Sequence, residues 1–243
     1  WSIGLQLFFD GSTPLSKFFG LSLIREYMSS NGGIPPVVER QKIREAMMSW
    51  LLSTSSNLTG VESYVMNNIV TIVTLAIKHD FPELWPNAFS DILAFGQKGI
   101  NELDIVIRVL SELEVEVVMF NDTRGKQEIA HNTIVKDAIR AGPIASNIVQ
   151  FLCQSAVSVR PMKAALSSRC LVALSEMIGW IDNGLIVNNT TLPIIYQTLG
   201  DQEVAEAGLT CLLELVKKGM DPHLKIQLVA SINLLPMLAT VKV

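Results

Sequence analysis

Apolar residues recur along this chain at helical spacing nearly everywhere. From residue 61 to 76, Val61, Val65, Ile69, Ile72, Val73 and Ala76 keep the i, i+4, i+8, i+11, i+12 rhythm of one helix face, and Met66, Val70 and Ile77 form a second stripe beside it. The same doubling occurs at Ile105, Val109 and Leu113 beside Val106, Leu110 and Val117. It returns at Ala205, Leu209, Leu212 and Val216 beside Gly208, Cys211 and Leu215. A helix with two adjacent apolar stripes has neighbours on two sides, as happens inside a stack of repeats. Convincing strands with strict alternation are absent, so the pattern predicts an all-α fold.

The helix boundaries are well punctuated. Thr13 before Pro14 reads as an N-cap followed by proline at the first helical position, where the missing amide costs nothing, and Asp221 before Pro222 repeats the arrangement. Lys217, Lys218 and Gly219 predict a helix end, with positive charge on its negative pole and a residue able to turn left-handed. Loops are expected at 29–36, 53–60, 81–86, 96–99, 141–143, 160–161 and 182–189. These stops leave roughly ten helices of about 13 to 20 residues, joined by short turns into hairpins. Inner helices fall near 15–28, 61–79, 101–119, 160–180 and 201–218, so their starts step by 46, 40, 59 and 41 residues. Three of these steps match the length of a HEAT or armadillo unit, about 40 to 47 residues. The long step places a polar insertion near 121–140. The expectation is a HEAT-repeat, right-handed superhelical solenoid over residues 1–243, with no separate second domain.

Composition agrees with this architecture. The 243 residues are 49% apolar and 17% charged, ample for a continuous core. The mean hydropathy of +0.36 is high, yet the longest apolar run, Asn68 to Ile77, falls short of the roughly 20 residues a membrane span needs; stacked helices account for the value without lipid. The start carries no signal-peptide pattern, and a chain opening on Trp1 reads as an excerpt of a longer protein. Three cysteines, Cys153, Cys170 and Cys211, form no CxxC pair and fit buried free thiols in a reducing compartment. The sequons at Asn57, Asn121, Asn188 and Asn189 read as loop composition.

The net charge of −4 argues against a small, uniformly basic nucleic-acid binder. Its distribution changes that picture. From Arg124 to Ser175, Arg124, Lys126, Lys136, Arg140, Arg160, Lys163 and Arg169 stand against Glu128 and Asp137 only, a local +5 that leaves −9 for the remainder. Such asymmetry steers an anionic partner to one place while the rest of the surface repels it. A solvated helix face is the alternative reading of the same run. No aromatic residue interrupts Arg124 to Gln150, so any nucleic acid held here is expected to be read through backbone and shape.

Catalytic signatures are missing. His79, His131 and His223 lie far apart in the sequence with no second ligand at i+3 or i+4, so no metal site is expected. There is no nucleophile elbow, phosphate loop or dinucleotide turn. His131 reads as a surface polar contact, and Trp50, Trp85 and Trp180 as packing wedges between repeats.

Particular strings carry a family resemblance. LSKFFGLSLI at Leu15 to Ile24, followed by KIREAMMSW at Lys42 to Trp50, resembles the amino-terminal helices of the importin-beta-like exportins. EIAHNTIVKDAIR at Glu128 to Arg140, GWIDNGLI at Gly179 to Ile186 and KKGMDP at Lys217 to Pro222 resemble the tRNA-carrying branch of that family. The resemblance implies a HEAT-repeat nuclear export receptor that binds the GTP form of Ran together with mature tRNA and releases both in the cytoplasm after GTP hydrolysis. It also implies contact with the FG repeats of the nuclear pore, shuttling between nucleus and cytoplasm, no membrane insertion, no catalysis and no cofactor beyond the GTP that Ran carries.

The resemblance places Ran against the inner helices of the first repeats, where Lys17, Arg25, Asn67, Asn68 and Arg108 are the matching polar positions. For tRNA it points to Arg124, Lys126, Lys136 and Arg140 in the insertion, then to Arg160 and Lys163. A transport receptor for protein cargo and a helical scaffold remain open alternatives.

Overall fold

A computed structural model describes residues 1–29, 34–119 and 123–240. The part of the expected loop at 30–33, and Asn121 and Asp122 at the start of the expected insertion, lie outside the described residues. Thirteen α-helices and no strand occur among the described residues, which bears out the all-α, HEAT-type reading.

Internal contacts gather the chain into two compact units, Trp1–Ala138 and Ile139–Val243. The first holds α1 (Ser2–Asp10), α2 (Pro14–Ser29), α3 (Val37–Thr54), α4 (Ser63–Asp80), α5 (Ala88–Gly96) and α6 (Ile100–Leu113), followed by one π-helical turn, Glu114–Val118. Most of α7 (Lys126–Ala141) also belongs to it. Here α1 packs on α2, α3 on α4 and α5 on α6, while α2, α4 and α6 stand side by side. The second unit holds α8 (Ile144–Val159), α9 (Ala164–Ile178), α10 (Thr191–Thr198), α11 (Ala205–Lys217), α12 (Pro222–Ser231) and α13 (Leu234–Thr240). In it α8 pairs with α9 and α10 with α11, with α9 against α11 and α8 against α10.

The doubled stripes are explained by α4. It lies between α2 and α6 with α3 along its back, and from Met66 to Ile77 only Asn67 and Thr71 escape burial. Burying apolar area on two flanks contributes about 25 cal/mol per Å2 on each, which makes α4 the keystone of the first unit. Val61 lies in the preceding turn, because α4 starts at Ser63. Leu209 of the α11 stripe is 37% exposed, so that stripe is only partly covered.

The expected caps are present where side chains provide them. Thr13 Oγ1 accepts from the Ser16 amide at 3.1 Å while Ser16 Oγ accepts from the Thr13 amide at 3.3 Å. Asp221 Oδ1 accepts from the amides of His223 and Leu224. Gly219 differs from expectation: among the described glycines the left-handed region is occupied at Gly60 instead. The α11 end is held by Lys218, whose Nζ donates to the Ile181 carbonyl. The helices also outnumber the roughly ten expected, because α5, α10 and α13 are short and α7 fills the insertion with sixteen helical residues.

Candidate nucleic-acid interface

The exposed flank of α7 follows from what its other flank must do. Val135 and Ile139 are fully buried, and Glu128, His131 and Asn132 continue that line toward the helix start. At 100° per residue, Lys126, Ile129, Thr133, Lys136 and Arg140 then share the adjoining flank, at i, i+3, i+7, i+10 and i+14. Lys126 and Arg140 are exposed and Lys136 is half-buried. Within the first unit Lys126 and Lys136 thus lie about 15 Å apart along one helix flank.

Arg124 is occupied elsewhere. The π turn at the end of α6 leaves carbonyls unpaired, and Arg124 donates to Val115 O at 2.6 Å and to Met119 O at 2.7 Å. It also lies 3.6 Å from Glu128 and keeps 11% of its side-chain exposure. A guanidinium on the negative pole of a helix is well placed electrostatically, and both of its terminal nitrogens donate to backbone carbonyls. The expectation that Arg124 presents to phosphate is corrected accordingly. Of the remaining cations, Arg160 lies 3.9 Å from Asp201, and Lys163 is exposed at the start of α9. Lys126 and Lys136 belong to the first unit; Arg140, Arg160 and Lys163 belong to the second. In that second unit burial lowers the Lys218 pKa, with Asp182 opposing and nearby Arg140 adding to the shift.

A second polar surface follows the α4 and α6 seam. Arg108 Nη1 donates to Asn67 Oδ1 at 3.0 Å while its Nε donates to Asp104 one turn away. Thr71 donates to Glu112 at 3.1 Å further along. Two of the positions expected to meet Ran are therefore joined to each other. Asn68 is corrected: it is 4% exposed, its amide donates to Tyr64 O, and it faces the interior. Lys17 is half-buried in line with Leu21, Ile24 and Met28, the core stripe of α2, whereas Arg25 is exposed.

Two buried ionic clusters were not expected from the sequence. Asp80 at the end of α4 accepts from Arg40 Nε and Arg44 Nη1, each at 2.8 Å, and Arg44 also lies 4.8 Å over the Trp85 ring. Lys78 Nζ donates to Glu116 at 2.9 Å and to Glu128 at 2.8 Å with 6% of its side chain exposed. Next to them His79 and His131, distant in sequence, bring their rings to 6.3 Å. His79 Nε2 meets Met28 O at 3.0 Å and His131 Nε2 meets Lys78 O, so His131 is a packing contact and not a surface one. Burial, then the nearby Lys78, Arg40 and His131, lower the His79 pKa against the opposing Met28 hydrogen bond. The three cysteines are buried and outside any disulfide. Burial pushes the Cys153 thiol up to about 12 and raises Cys211 as well, so neither is a ready nucleophile at neutral pH.

No cluster of three or more potential metal ligands occurs among the described residues, and no described helix is long and apolar enough to cross a membrane. Paired helices in side-by-side columns define an α-helical repeat protein. The chain belongs to the exportin 1-like protein family, whose match covers residues 62–212. It is similar to exportin-T of Danio rerio, 29% identical over 216 residues, which is 89% of this chain and 22% of the relative. Exportin-T of Dictyostelium discoideum is 27% identical over 96% of this chain and 21% of the relative. Human exportin-T is 26% identical over 89% and 22%. The chain thus spans about a fifth of the length of these relatives.

Proposed function

We propose that this chain is the amino-terminal part of a nuclear export receptor for tRNA, with residues 1–243 forming one array of HEAT repeats. The observation that carries the proposal is its similarity to exportin-T over 89% or more of its residues in animal and amoebal relatives alike. The cationic flank of α7 on an otherwise acidic chain supports it, because a folded RNA offers phosphates in a fixed three-dimensional array.

In this reading Lys126, Lys136 and Arg140 meet tRNA phosphate, with Arg160 and Lys163 as further contacts, while Arg25, Asn67 and Arg108 meet Ran in its GTP form. Lys17 contributes from the edge of that surface. The receptor shuttles between nucleus and cytoplasm, engages FG repeats of the pore and catalyses nothing; GTP enters only with Ran. Coupling between the two ligands follows from linkage: if both prefer one curvature of the array, each lowers the ordering cost of the other.

The test is binding of labelled mature tRNA to the full-length chain with Ran loaded with GTP or GDP. The expected result is retention that requires the GTP form and is lost on reversing Lys136 and Arg140 to glutamate. Equal retention with both nucleotides would point to a scaffold, no retention of tRNA with either would point to a receptor for protein cargo, and binding indifferent to the charge reversal would overturn the assignment of the α7 flank.

A further inference from the structure

The first two turns of α7 carry no buried apolar residue. Between Lys126 and Ile134 the residues turned toward the first unit are Glu128, His131 and Asn132, whereas Ile129 and Ile134 are 45% and 55% exposed. Apolar burial is non-directional and lets a helix roll about its axis; hydrogen bonds and ion pairs fix the angle. Here Glu128 accepts from Lys78, Asn132 Nδ2 donates to Glu116 O at 3.0 Å, and His131 meets the Lys78 carbonyl. Lys78 is the common element, because it also holds Glu116 of the π turn at 2.9 Å.

We propose that Lys78 is a positioning residue for the RNA-facing flank of α7: by drawing Glu116 and Glu128 onto one buried ammonium, it sets the rotation at which Lys126 and Lys136 stand outward. The inference rests on the RNA reading of that flank. Lys78 touches no RNA. A slip of one residue in the docking of α7 rotates the helix by about 100° and carries Lys126 and Lys136 off the flank they share. Buried ion pairs contribute little net stability compared with apolar packing, and a geometric role accounts for one at this place.

The test measures binding of labelled mature tRNA to the full-length chain saturated with Ran-GTP, across a salt series. Lys78→Met keeps the length of the side chain and leaves the two half-exposed carboxylates able to reach water. It is expected to weaken binding about tenfold and to reduce the slope of log K against log salt by about two, one for each displaced lysine. Glu128→Gln keeps shape and removes charge, and is expected to move the slope in the same direction; if Lys78→Met does not fold, this variant decides. A Lys78 that merely stabilised the fold would lower the active fraction and leave the slope unchanged. If Lys136→Glu/Arg140→Glu abolishes binding while Lys78→Met and Glu128→Gln keep the wild-type slope, the positioning role is overturned and the RNA reading stands. If the double reversal changes nothing, the RNA reading fails and the positioning role fails with it.

Discussion

Arg108 on α6 donates to Asn67 on α4 across 3.0 Å while Asp104 holds the other edge of its guanidinium. The two residues present one polar surface, so their contributions to a partner are coupled. On the proposed reading of this surface as the Ran contact, Asn67→Ala and Arg108→Ala are each expected to reduce Ran-GTP affinity severalfold. The double variant should lose less than the product of the two, because residues sharing a hydrogen bond are non-additive. Surface plasmon resonance on the four proteins of the cycle measures this, and strictly multiplicative losses would show that the pair does not act as a unit.

The Asp80 clamp carries a larger effect on stability. Its carboxylate is 1% exposed and accepts from two arginines whose side chains keep 6% and 14% exposure. Asp80→Ala leaves Arg40 buried without its countercharge, a loss of about 3–5 kcal/mol. Arg44→Ala leaves the Arg40 and Asp80 pair in place and costs less. Denaturant unfolding followed by tryptophan emission measures the loss, with Trp85, one of four tryptophans, lying under Arg44. Equal midpoints for Asp80→Ala and the wild type would contradict the assignment.

His79 gives the first unit a pH dependence of definite sign. The unfolded chain takes up a proton near the ordinary histidine value, about 6.5, while in the folded chain burial and the nearby cations hold the pKa lower. Below that value the unfolded state therefore binds more protons than the folded state, so stability is intact above about pH 6.5 and falls as the pH drops through the folded value. His79→Gln, which keeps a polar group and cannot protonate, should lose less stability than the wild type between pH 7.5 and 5.5. Thermal melts at the two pH values make the comparison, and identical losses would remove His79 as the cause.

Much of the stack was legible because its signal is apolar and periodic: the doubled stripe of α4 reflects real neighbours on two sides, and the caps at Thr13 and Asp221 use side chains whose chemistry is local. The segment around α7 was legible only as charge. Over its first turns the docking flank is Glu128, His131 and Asn132, with only Val135 and Ile139 apolar further along, so apolar periodicity registers little, and what reads as a polar insertion is a sixteen-residue helix. The site residues show the same division. A sequence identifies Arg124 and Asn68 as polar but not that a π turn and a neighbouring carbonyl consume their donors. Lys78 did carry a usable sign, since it stands four residues after the buried Thr74 on a helix buried on nearly every side, and a lysine in such a place requires carboxylates.

The crossing of α1 and α2 makes the last prediction, in which helix propensity and packing oppose each other. Gly4 and Gly20 face one another there. A Cβ on Gly20 would lie 2.5 Å from Gly4 O and 2.8 Å from Phe8 N, and one on Gly4 would lie 2.7 Å from Gly20 O. By propensity alone, replacing glycine with alanine inside a helix gains up to about 1 kcal/mol. The contacts met here are backbone atoms, which cannot turn aside as a side chain can, so the two helices must separate. Their separation exposes Phe8 and Ile24, which are 1% and 0% exposed, and overpacking of this kind costs about 1–3 kcal/mol. Gly20→Ala is therefore expected to lower stability, against its propensity. Gly219→Ala, at a site with open space around it and no left-handed backbone, should be neutral. Hydrogen exchange of the α1 amides locates the effect: faster exchange confined to α1 and α2 in Gly20→Ala supports the crossing as its origin, and unchanged rates there would place the cost elsewhere.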